Sequence, residues 1–81
     1  MTRKQKVELR KAVEDAWAKG DCEGASDIIQ NLVPDRSRAL IRWDKEIGRA
    51  LQRSAEGDIT RVRLNRIFKR LDMKLLKELG A

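Results

Sequence analysis

The residues best placed to do chemistry in this chain are cations. Arg38, Arg42, Lys45, Arg49 and Arg53 recur every three or four positions, and so do Arg63, Arg66, Arg70, Lys74 and Lys77. At about 100° per residue, each set falls within roughly 80° of a helical wheel, with no Asp or Glu inside the arc. A face that only meets water usually mixes its signs. Like charges four residues apart, such as Arg38–Arg42, Arg49–Arg53 and Arg66–Arg70, each cost a few tenths of a kcal/mol, whereas opposite charges gain as much. Seven of the ten are arginine, whose planar fork grips phosphate or carboxylate at two points where lysine offers one charge. The competing reading is an ordinary polar face, because arginine is also a strong helix former.

Other chemistries find no footing. The chain has no histidine, so Ser-His-Asp and Cys-His arrangements are excluded, along with the commonest metal ligand. One cysteine, Cys22, cannot build an intramolecular disulfide framework or a Cys-rich zinc site. At the start of a helix its thiolate would be favoured, but Asp21 and Glu23 flank it with negative charge, so a small packed thiol is expected. The segment KGDCEG has neither the spacing nor the lysine of a phosphate-binding loop. Carboxylates occur singly or in pairs such as Glu14–Asp15, and none lies on an evident apolar wall that would raise its pKa for acid–base work. No catalytic residue, metal or cofactor is therefore expected.

Four helical segments must position the two cationic rows, about 3–19, 22–32, 36–53 and 59–79. The first carries Leu9, Ala12, Val13, Ala16 and Trp17 on one side, and Gly20 offers it a left-handed exit. Asp21 can cap the second, whose apolar side is Ala25, Ile28, Ile29 and Leu32. Pro34 stops it. Either Asp35 or Ser37 can cap the third, with Ala39, Leu40, Trp43, Ile47, Ala50 and Leu51 facing a core. Ser54, Gly57 and Asp58 form a break. The fourth then sets Leu64, Ile67, Phe68, Leu71, Leu75 and Leu79 within about 120°. No run alternates apolar with polar as a strand would. The expected fold is all-α, one small domain of about four helices over residues 1–81.

Charge is unevenly divided among these segments. The formal total is +6. Residues 1–20 contribute +3, residues 21–34 −3, residues 35–58 +1 and residues 59–81 +5. The second helix is thus an acidic island, and the first mixes Arg3 and Arg10 with Glu8 and Glu14. Apolar residues off the main faces, Val62, Met73 and Leu76 in the fourth helix together with Ile41 and Val7, suggest an interface such as a homodimer. No stretch has the length and apolarity of a membrane span, and the first twenty residues lack the apolar core of a signal peptide. A cytoplasmic location is expected.

Trp17, Trp43 and Phe68 all fall on apolar faces. Core packing is expected of them, which leaves no exposed platform for stacking single-stranded bases. The second helix, the Val33–Asp35 turn and the third helix could form a helix-turn-helix, with Arg36, Ser37, Arg38 and Arg42 near a groove. The leading expectation is a small basic regulatory protein, not an enzyme, that binds DNA or RNA mainly through arginine–phosphate contacts. The alternative is a helical adaptor or inhibitor whose arginines meet an acidic protein surface.

Overall fold

The computed structural model describes residues 1–34 and 37–81. Four helices follow one another: α1 Arg3–Ala18, α2 Cys22–Leu32, α3 Arg38–Ala55 and α4 Arg61–Glu78. No strand occurs among the described residues. The fold is all-α, as the periodicity predicts.

Each helix starts at a side-chain cap. Thr2, Asp21, Ser37 and Thr60 accept hydrogen bonds from the backbone N–H groups of Gln5, Gly24, Leu40 and Arg63, satisfying a donor that has no partner within the helix. In return the Thr2 N–H donates to the side-chain oxygen of Gln5, closing a capping box. These caps set boundaries that periodicity leaves loose. Ser37 starts α3 two residues later than expected. Thr60 likewise excludes Ile59 from α4, although Ile59 is buried, as is Leu64 four positions into the helix. These are the two positions of a hydrophobic staple. The alternative cap Asp35 and the candidate contact Arg36 lie outside the described residues.

Three of the helix ends share one stop. Gly20, Gly57 and Gly80 have φ of 73°, 81° and 74°, and the N–H groups on either side of that left-handed turn reach back to the last helical carbonyls. Asp21 N–H donates to Ala16 O, Asp58 to Arg53 O and Ala81 to Leu76 O. This is the pattern of the Schellman motif. α2 ends differently, at the extended Val33 before Pro34.

Packing pairs α1 with α2 and α3 with α4, and joins the two hairpins mainly through α2 and α4. The buried side of α2, Cys22, Ala25, Ser26 and Ile29, is used on these neighbours. α2 does not pack comparably on α3, so a helix-turn-helix is not formed.

Trp43, Ile47 and Phe68 lie in one core, with Trp17 and Leu71 partly buried against it. The fourth helix is rotated relative to its expected face. Its buried residues are Leu64, Phe68, Asp72, Leu75 and Leu76, while Ile67 and Leu71 stand at the edge. Leu76 is 1% exposed, which corrects its assignment to an interface: it is core. The cause is topological. α4 touches both hairpins and buries a wider arc than a helix with one neighbour. Leu51, expected in the core, is conversely exposed, and so is Leu32.

Candidate nucleic-acid interface

All ten residues of the two cationic rows are exposed. On α3 the buried side is defined by Leu40, Trp43, Ile47 and Ala50, and the row of Arg38, Arg42, Lys45, Arg49 and Arg53 lies away from it. On α4 the row of Arg63, Arg66, Arg70, Lys74 and Lys77 lies opposite Phe68 and Asp72. Because α3 and α4 pack as a hairpin, the rows flank one seam. A shallow groove along it is lined by Ala39, Arg42, Glu46, Leu71, Lys74 and Glu78, so members of both rows border the same depression.

The seam is not purely basic. Glu78 approaches Arg42, with Oε1 3.5 Å from Nη1. Among the described residues, Arg42 is the one member of either row within ion-pairing distance of a carboxylate. Both groups are substantially exposed, so the pair is screened and adds little stability. At the opposite end, the C-cap Glu56 accepts a hydrogen bond from Gln52. Glu56 and Glu78 thus stand toward the ends and Glu46 borders the groove, while Lys45, Arg49, Arg66 and Arg70 in the middle of the face have no carboxylate partner among the described residues.

The surface of α1 differs. Arg3, Lys6, Arg10 and Lys11 share a depression with Glu14 and Asp15, and Arg10 pairs with Glu14 at 3.2 Å. Arg61 is likewise committed to Glu23 of α2 at 3.1 Å. Single-sign character is confined to the two rows of α3 and α4.

A buried carboxylate holds that face in register. Asp72 is fully buried on α4 and accepts Trp43 Nε1–H at 2.8 Å and Trp17 Nε1–H at 3.1 Å. One oxygen serves each indole, so α1, α3 and α4 meet at a single side chain. Burial pushes the Asp72 carboxyl above its usual range, and the two indole donors partly offset this by favouring the charged form. Lys69 of α4 stands over the ring of Trp17 of α1, 5.6 Å from its centroid, a cation–π contact between the two helices. The expectation that no carboxylate is held on an apolar wall is overturned by Asp72. Both of its oxygens are taken by indole donors.

Cys22 is buried, and its Sγ lies 3.9 Å from the Asn65 carbonyl oxygen. Burial, then the charges of Asp72 and Asp21, push its thiol pKa up, which disfavours the thiolate. This is the packed thiol the flanking acids suggest.

Two of the three residues read as an interface remain on the surface. Val62 is 64% exposed and Met73 49%, but the loss of Leu76 to the core leaves them separated by eleven positions of α4, with Arg66 and Lys69 between. Val7 and Ile41 are exposed as well. No helix of the described residues is long and apolar enough to cross a membrane. Comparison with protein-family models, curated proteins and solved structures finds no match.

Proposed function

We propose that this protein is a small basic regulatory protein, without catalytic activity, that binds nucleic acid through arginine–phosphate contacts on the α3–α4 face. The observation that carries the reading is the combination of ten exposed cations in two single-sign rows on adjacent packed helices. Neither helix gains from such rows by itself, since their i,i+4 neighbours repel. A polyanion would reverse that balance. Each cation that neutralises a phosphate releases condensed counterions, so affinity follows salt concentration steeply. The arginine excess favours phosphate oxygens, which a guanidinium meets with two parallel hydrogen bonds. The aromatic rings are engaged in the core, which supports backbone contact over base stacking.

The test is a titration of a bare duplex at about 50 and 200 mM salt, followed by fluorescence anisotropy. Binding that weakens by orders of magnitude across that interval is the expected result. Failure of both DNA and RNA to bind at the lower salt would refute this reading and put the adaptor reading, in which the rows meet an acidic protein, in its place. Dimerisation through Val62 and Met73 is a subordinate proposal, motivated by their exposure beside the α4 row. It would place two basic faces in one particle, and a concentration-independent monomer mass in sedimentation would exclude it.

A further inference from the structure

We infer that Asp72 is a positioning residue for the cationic face: held by Trp43 of α3, it fixes the rotation of α4 and so the direction in which the α4 row points. This rests on the nucleic-acid reading above. Apolar burial alone leaves that rotation open. On the wheel of α4, Leu64, Ile67, Phe68, Leu71, Leu75 and Leu79 form an arc free of charge, yet the buried residues are Leu64, Phe68, Asp72, Leu75 and Leu76. At about 100° per residue, the centres of the two arcs differ by roughly 45°. The helix leaves Ile67 and Leu71 at the edge of the core and takes a carboxylate inside. Contact with both hairpins widens the buried arc, but it does not call for a charge within it.

What selects the observed rotation is polar. Among the described residues, the buried polar or charged ones are Ser26 and Asp72. Ser26 donates to the Cys22 carbonyl oxygen of its own helix, so it ties no two helices together. Asp72 ties α4 to α3 through Trp43 at 2.8 Å and to α1 through Trp17 at 3.1 Å. Turning α4 onto its all-apolar arc would carry the carboxylate away from Trp43, toward the α1 side. A buried indole N–H and a buried carboxylate oxygen would both lose their partner, which is costly, whereas either arc buries leucine and phenylalanine. The Trp43 bond is therefore the one that opposes the turn.

The cationic row follows the rotation. The surface of a helix lies about 5–6 Å from its axis, so a turn of 45° or so moves a side chain by about 4–5 Å. Leu71, Lys74 and Glu78 mark the side of α4 that borders the seam with α3, and on the wheel Arg63 and Lys74 are the row members nearest that side. The turn would drive both into the seam, toward the cations of α3, and withdraw them from an external polyanion.

Trp43→Phe and Trp17→Phe each remove one indole donor from the same carboxylate, but only the first releases α4 from α3. Both variants are compared with the unsubstituted chain for binding to a short DNA duplex, by anisotropy over a salt series, with far-UV circular dichroism as the check on folding. The log–log salt slope counts phosphates neutralised per bound molecule, so a residue that only stabilises the fold would lower Tm and leave the slope alone. In Trp43→Phe the magnitude of the slope should fall by about two, for the contacts of Arg63 and Lys74, while Trp17→Phe keeps the original slope. Asp72→Leu, which fills the site with an apolar group, should give the same fall and decides the matter if Trp43→Phe loses its helical spectrum. An original slope in the folded variant, or an equal fall in Trp17→Phe, overturns this inference and leaves the nucleic-acid reading standing. Failure of the unsubstituted chain to bind either a DNA or an RNA duplex at low salt overturns both.

Discussion

Replacing Trp43 by phenylalanine isolates what the buried carboxylate contributes. Trp43 is 3% exposed, and its Nε1–H donates to Asp72 Oδ1 at 2.8 Å. Phenylalanine keeps most of the ring but removes the donor, leaving that oxygen unpaired in a fully buried side chain. A hydrogen bond to a charged group contributes about 1.5–3 kcal/mol, and the smaller ring forfeits a further 1–2 kcal/mol or so of packing. The expected loss near neutral pH is about 3–4 kcal/mol, a large part of the roughly 5–15 kcal/mol that holds a domain together. The loss should depend on pH. Asp72 has a folded pKa raised above its unfolded value of 3.8, so its contribution is fully present below about that pH and is lost as pH rises through the folded pKa. Trp43 opposes the rise by stabilising the carboxylate, so its removal raises the folded pKa further and extends the loss to higher pH. Urea denaturation followed by far-UV circular dichroism at about pH 4 and pH 8 measures both effects. The variant should lose about 1–2 kcal/mol at the acid end and the full amount at the alkaline end. Equal losses at the two pH values would show that Trp43 acts through volume alone and would refute the role given to the carboxylate.

Three further substitutions probe the helices around the face. Gly48 lies mid-α3 with open space where a Cβ would be, so Gly48→Ala should stabilise the fold by about 0.5–1 kcal/mol in urea denaturation without altering ligand affinity. Leu76→Ala should cost about 2–5 kcal/mol, whereas Met73→Ala on the exposed side of the same helix should change stability by about 0.5 kcal/mol or less; similar losses at both positions would contradict the placement of α4.

The helices themselves were legible in the sequence because caps and stops are local chemistry. Asp21 and Ser37 before their helices, and Gly20 and Gly57 after them, act within four or five residues of chain, whereas periodicity alone starts the fourth helix at 59, two residues ahead of the start that the Thr60 cap sets. The cationic rows were legible for the same reason: periodicity places Arg49 and Arg66 on a face whatever the helix packs against. Asp72 was not, although a signal existed. It lies between Phe68 and Leu76 on the wheel, and the two core tryptophans each carry an N–H that burial obliges to find an acceptor. Excluding Asp72 from the apolar arc displaced that arc from the true buried side and left Leu76 looking exposed. The choice of partners was equally illegible, since short loops suggest sequential neighbours but do not reveal that α2 turns to α4 and not to α3.

The central claim, that the paired rows contact phosphates, is tested most directly by exchanging Arg49 and Arg66 for glutamine. Both lie in the middle of the face, are exposed, and have no carboxylate partner among the described residues, so the helical spectrum should be preserved. A parallel exchange of Arg3 and Arg10, which sit among acids on α1, is the control. With duplex DNA, the double change on α3 and α4 should weaken binding to unrelated sequences uniformly and reduce the magnitude of the salt slope by about two, while the control shifts it by much less. An unchanged affinity and slope in the folded Arg49→Gln, Arg66→Gln protein would contradict the account.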